Sequence, residues 1–205
     1  MTKHPHLLGI LFIVVGTGGP GIAAGWHLTQ TLNGADIDMA IRCGMREIAC
    51  EEPVLDRLVL SYFSVQITTP LDRVFSAARE AQKRQLEFSR ADVTLEMLDP
   101  TITVYAWDAD PSIESVRNIK HVVLSPEGTT EVIQPAKFES VSFDRQKLDG
   151  LSFRHIAQKA TFYVWDLPPG DFDVVLITED GSDRRIRVRG KYRQNLDRWC
   201  GRTPK

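Results

Sequence analysis

Cysteine is scarce in this chain: Cys43, Cys50 and Cys200 are the whole supply. Three thiols cannot staple a small disulfide scaffold, and no C-x-x-C pair or histidine cluster accompanies them, so a structural zinc site is not expected. His4, His6, His27, His121 and His155 show no metal-ligand spacing. The sequence also lacks G-x-S-x-G, H-E-x-x-H and a Walker-type phosphate loop, which removes the common hydrolase, zinc-protease and NTPase readings. Internal repeats and low-complexity tracts are absent too, which argues against a solenoid or a disordered linker. Charge of one sign is missing overall, because the formal net charge is only -2.

That near-neutral total hides an uneven distribution. Residues 184–205 carry nine Lys/Arg against the single Asp197, so the preceding chain is strongly acidic. With 42% hydrophobic and 25% charged residues, composition is that of an ordinary globular protein, and 205 residues suffice for one domain with an appended segment.

The most decisive stretch is residues 7–26, LLGILFIVVGTGGPGIAAGW, and the uncharged run continues to Ala35. About 20 apolar residues span a bilayer core. Lys3 on one side and Asp36 and Asp38 on the other orient such a helix weakly, basic side inside. Gly21 and Gly25 form a G-x-x-x-G pair through which two such helices could form a homodimer. A cleaved signal peptide uses the same residues, with 7–15 as its apolar region, Pro20 as breaker and Gly21 and Ala23 at the cleavage site. One lysine makes a thin n-region, so anchoring ranks above cleavage. Both place the bulk of the chain outside the cytoplasm.

Gly16, Gly18 and Gly21 also spell G-x-G-x-x-G after the apolar run ILFIVV. A strand, a tight glycine turn and a helix N-terminus is the order a pyrophosphate site needs. The stretch VVGTGGPGIAAGWHL resembles the opening of flavin- and nicotinamide-dependent oxidoreductases, over roughly 30 residues. That resemblance implies a cytoplasmic enzyme holding FAD or NAD(P) at Gly16, Gly18 and Gly21. It departs from the pattern at the second strand, where residues 36–42 end on Ile41 and Arg42 and offer no acidic ribose ligand.

After Asn33-Gly34, which reads as a turn, a helix is expected around 36–49. Seven residues on one continuous helix separate Cys43 and Cys50 by about 10.5 Å, too far to bond. Export would allow them to pair and leave Cys200 free, but scattered free thiols are the expectation. Residues 58–67 read as one half-buried strand, with Phe63, Val65 and Ile67 on the apolar side. Thr69-Pro70-Leu71-Asp72 then opens a helix, with Thr69 as cap, Pro70 at its first position and Asp72 in its first turn. Leu71, Val74, Phe75, Ala78, Ala81 and Leu86 form its apolar stripe.

From Val93 the texture is β. Strands are expected at 93–97, 101–107, 121–124, 130–133, 160–165, 172–178 and 185–189, the last three as an antiparallel meander. The phrase DLPPGDFDVVLITEDG resembles the late strands of immunoglobulin-like and fibronectin-like modules, with Phe172 where many of these carry a corner tyrosine. The expected class is therefore α+β, mainly β in its C-terminal half. It consists of an anchor or signal segment (1–32), a mixed connecting segment with one strand and one amphipathic helix (33–92), an immunoglobulin-like antiparallel β-sandwich (93–192) and a basic tail (193–205).

Two constellations carry possible chemistry. Asp108, Asp110, Ser112 and Glu114 place oxygen ligands at alternate positions, but Ile113 and Ile119 stand where a calcium loop wants glycine and glutamate. Asp108 and Asp110 are thus weak metal candidates beside a plain polar turn. Arg185, Arg187 and Arg189 alternate with Ile186 and Val188, and Lys191 and Arg193 extend the row. Such a row suits a carboxylate or phosphate partner, or merely protects an edge strand. Aromatics are too sparse nearby for nucleic acid to be expected. The sequence therefore points to a membrane-anchored or exported protein that acts by binding or assembly with an unknown protein partner, with no catalytic group and no cofactor. The oxidoreductase is the alternative, and a soluble anion-binding module the third.

Overall fold

The computed structural model describes residues 32–50, 58–60, 63–108, 119–146 and 152–201. The stretch 7–26, with Gly16, Gly18, Gly21 and Gly25, lies outside them. Among the described residues no helix is long and apolar enough to cross a membrane.

The fold is α+β, with antiparallel strands in two sheets. In chain order the elements are α1 (Gly34–Gly44), β1 (Leu58–Leu60), β2 (Phe63–Thr68), α2 (Pro70–Lys83), β3 (Thr101–Asp108), β4 (Ile119–Pro126), β5 (Lys137–Gln146), β6 (Ser152–Tyr163), β7 (Phe172–Thr178), β8 (Asp183–Val188) and α3 (Lys191–Trp199). The larger sheet runs β1-β2-β3-β6-β5 and the smaller β4-β7-β8. Every pairing between these strands is antiparallel.

Period-two alternation explains the core strands. Val65 and Ile67 of β2, Ile102 and Val104 of β3, Phe162 of β6, Val122 and Leu124 of β4, Val174 and Leu176 of β7 and Val188 of β8 belong to one buried cluster. It draws on both sheets. Phe162 and Phe172 are among its largest fully buried side chains, each contributing roughly 1.5–3 kcal/mol on burial.

A second, smaller core joins the helices. Ile37, Ala40 and Ile41 of α1 meet Leu71, Val74 and Phe75 of α2 and Trp199 of α3. Gly44 is required there, because a Cβ would sit 2.5 Å from the Phe75 carbonyl oxygen. α2 begins as its local signals dictate. The Thr69 hydroxyl accepts from the Asp72 amide while the Asp72 carboxylate accepts from the Thr69 amide, a reciprocal capping box with Pro70 following it. Leu71, Val74, Phe75 and Ala78 are buried as the stripe requires, whereas Leu86 lies beyond the helix and is exposed.

Several expected elements take another form. Asn33 is the cap of α1 and accepts from the Asp36 amide at 2.9 Å. Residues 58–67 are two strands that pair with each other, not one. Residues 93–97 form no strand, and 95–98 are a turn. Arg73 of α2 claims the carbonyls of Met97, Asp99 and Thr101, and Val93 and Met97 pack on the helical core. Their apolar side chains act as pegs, not ladder rungs. Burial holds the Arg73 pKa below its ordinary value, opposed by Asp99 and Asp72. Residues 130–133 contribute only an isolated bridge, Ile133 to Leu124.

The expected meander is also split. β6 pairs with β3 and β5, while β7 pairs with β4 and β8. After Tyr163 the chain makes a 3-10 turn, Val164–Asp166, and buries Leu167 before Pro168 and Pro169. That connection crosses between sheets, where a hairpin would have stayed in one. Residues 193–205, expected as a tail, begin within α3. Its Leu196 and Cys200 enter the inter-sheet core while Trp199 enters the helical one. Spacing of three and four places them on one helix face, so α3 is the joint between the cores.

Candidate functional site

The arginine row lies on β8, which among the described residues pairs only with β7 and is an edge of the smaller sheet. Ile186 and Val188 point into the core, so Arg185, Arg187 and Arg189 project to the other side. The structure brings acids to two of the three. Arg185 reaches Asp183 at 2.8 Å and Asp173 at 3.9 Å. Arg189 reaches Glu127 at 3.1 Å. Arg187 stands across the ladder from Asp173 in register but has no ion pair with a described residue, and it is exposed. Exposed pairs of this kind contribute about 0–1 kcal/mol each. Their main consequence is that two guanidinium groups are partly neutralised, which leaves Arg187 as the cation most able to meet an external acid.

The row stops at Gly190, whose φ of 55° turns the chain out of the strand and into α3. Lys191 opens that helix on the surface. Arg193, expected to extend the row, does not belong to it. Only 6% exposed, Arg193 donates to the Pro168 carbonyl at 2.6 Å, pairs with Asp197 at 3.1 Å and lies over the Phe172 ring. Helical periodicity, not strand alternation, governs residue 193, so its side chain turns inward.

Asp108 ends β3 and is buried. Asp110, Ser112 and Glu114 lie outside the described residues, as do Gly16, Gly18 and Gly21. Among the described residues no group of three or more His, Cys, Asp or Glu could hold a metal ion.

The feature that sequence reasoning missed is a cleft beside a disulfide. Cys43 and Cys50 are bonded, with Cα atoms 5.6 Å apart, and the expectation of free thiols fails for this pair. α1 ends at Gly44, and the chain then turns through Arg46 at φ 61°. The continuous helix that would have separated the two cysteines therefore stops one residue after Cys43. Met39, Ile48, Ala49, Asn195, Arg198 and Trp199 line the adjoining cleft of about 240 Å³. Arg198 donates to the Met39 sulfur at 3.0 Å, and Phe75 meets Trp199 edge-to-face at 5.9 Å. The sequence carried one signal for this arrangement, Gly44 directly after Cys43. Cys200 is buried and lies outside this disulfide.

Two carboxyl groups near the sheet ends are perturbed. Hydrogen bonds from the Thr178 hydroxyl and the Ser182 amide pull the Asp180 pKa down to about 2. Partial burial pushes that of Asp166 up. Asp180 organises the β7–β8 turn, and the two groups are not paired, so they form no acid–base couple.

No protein-family model and no curated protein matches the chain. Among solved structures it is similar to a novel protein of unknown function from Burkholderia pseudomallei K96243, at 6% sequence identity and a TM-score of 0.41. The match covers 82% of this chain and 93% of that one.

Proposed function

We propose that this chain is a membrane-anchored or exported protein that works by binding or assembly, not by catalysis, through an immunoglobulin-like β-sandwich. The observation that carries the reading is the Cys43–Cys50 disulfide, since disulfides form and persist in oxidising, extracytoplasmic compartments. The uncharged run 7–35 agrees with that location, whether it anchors the chain through a bilayer or is cleaved. Strand order supports the finer fold reading. With β2 to β8 labelled A to G, the larger sheet contains A-B-E-D and the smaller C-F-G, the constant-type arrangement, and β1 is an addition.

In this reading the membrane is one partner, a protein with an acidic surface meeting Arg187 is another, and Gly21 and Gly25 supply a possible helix–helix contact. No cofactor is required. The oxidoreductase alternative draws no support from the described strands, whose pairs are all antiparallel, because a dinucleotide fold is a mostly parallel sheet. The test is fractionation of cells expressing the full chain, with thiol alkylation before and after reduction. Recovery with membranes or outside the cytoplasm, with Cys43 and Cys50 blocked until reduction, is the expected result. A soluble cytoplasmic protein carrying a yellow flavin would overturn it.

A further inference from the structure

The edges of the two sheets are not equivalent. β1 has three residues and lies against β8. β4 receives a bridge from Ile133, and β8 carries the arginines. β5 is different: it runs ten residues and pairs only with β6. Among the described residues nothing occupies its outer side. A long row of open N–H and C=O groups is a template for another strand. Phe138, Ser140 and Ser142, on the core-facing row of β5, are also exposed. Phe138 stands opposite fully buried Ala160 yet is itself 36% exposed, because five strands face only three.

We propose that β5 is a homodimerisation edge, pairing antiparallel with β5 of a second copy about a two-fold axis at Ser142. An axis perpendicular to the sheet keeps each row of residues on its own face, so only registers two residues apart are allowed. Charge chooses among them. Pairing Ser142 with its own copy sets Glu139 opposite the partner's Arg145, and Val141 opposite the partner's Phe143, each twice by symmetry. On its own side Glu139 already meets Lys159 at 3.2 Å and Lys137 at 2.7 Å. The dimer therefore continues a row of alternating charge across the seam. Pairing Val141 with its own copy would instead oppose Lys137 to the partner's Arg145, twice, and like charges directly opposite are destabilising.

The test is sedimentation velocity of the full chain in a mild detergent across a concentration series. Wild type is expected to show a reversible monomer–dimer equilibrium. Glu139→Arg and Arg145→Glu each place two like-charge pairs at the seam and should weaken the dimer about tenfold or more. Mixing the two variants restores both opposite-charge pairs, so the mixture should dimerise about as tightly as wild type. Restoration also shows that both variants are folded at β5. A wild type that stays monomeric overturns the proposal. So does a dimer that ignores both reversals, or one that yields instead to Gly21→Leu. Failure of the mixture to recover would overturn it as well, with wild-type thermal unfolding of each variant as the control for folding.

Discussion

The Arg193 guanidinium lies over the Phe172 ring, 5.3 Å from its centroid. From that position Arg193 donates to the carbonyl of Pro168, four residues before Phe172. In the immunoglobulin-like reading proposed above, a tyrosine hydroxyl at this corner would reach backbone a few residues upstream. Phenylalanine has no hydroxyl. A cation from α3 supplies the missing hydrogen bond and fastens the helix to the corner in the same contact.

Removing that cation should be expensive. Arg193→Ala leaves the Asp197 carboxylate without its 3.1 Å partner and the Pro168 carbonyl without its donor. Breaking one side of a buried pair costs roughly 3–5 kcal/mol. Lysine at 193 keeps the charge but loses the planar fork, so it should recover only part of the loss. Urea denaturation midpoints of the three proteins check the order wild type, Lys, Ala.

The disulfide closes a short loop between Cys43 and Cys50, and chain-entropy reasoning puts its contribution at about 2.5 kcal/mol. Replacing both cysteines with serine should therefore lower stability by about that amount at pH 7. The loss should match that of reduced wild type in the same denaturant series. A double variant as stable as the oxidised protein would show that the loop is held by the packing of Ile48 on the helical core alone.

Asp180 gives the protein a pH dependence of known sign. Its carboxyl is depressed to about 2 in the folded chain from an ordinary 3.8. The stabilisation is therefore complete above about pH 4 and is lost as pH falls through about 2. Asp180→Ala should lower the melting temperature at pH 7, and the gap from wild type should narrow steadily between those limits. A gap constant from pH 7 down to pH 2 would contradict the turn geometry, in which Asp180 accepts from Thr178 Oγ1 at 2.6 Å and from the Ser182 amide at 3.0 Å.

On the arginine edge the three cations should not respond alike. Arg187→Glu should abolish association with an acidic partner while leaving stability within about 0.5 kcal/mol, as exposed substitutions usually do. Reversing Arg185 or Arg189 instead places a carboxylate beside Asp183 and Asp173, or beside Glu127, so these variants should lose stability as well. Association should weaken as salt rises, because exposed charges are screened over about 10 Å at 0.1 M. Pull-downs at low and high salt, run alongside thermal melts, separate binding from folding. An unaltered pull-down with Arg187→Glu would leave the row with its edge-protecting role alone.

Local signals by themselves determined much of this protein. Thr69, Pro70 and Asp72 mark the start of α2 because capping acts over four residues and needs nothing distant. Alternation located β2 and β8, whose apolar side chains recur every second residue, while β-branched and aromatic runs between turn residues located β3 and β7. β5 was not legible, since KFESVSFDRQ carries Phe138 on one face and Val141 and Phe143 on the other, with charges on both. What required the tertiary structure was every choice between partners. Which sheet takes β6, whether Cys43 finds Cys50 and whether Arg193 faces solvent or Phe172 all depend on elements distant in sequence or on where a helix stops. Residues 93–97 have strand composition yet form no strand, and Arg73, distant in sequence, holds the Met97 and Thr101 carbonyls there. Periodicity reports which side of a segment is apolar, and only packing decides what that side meets.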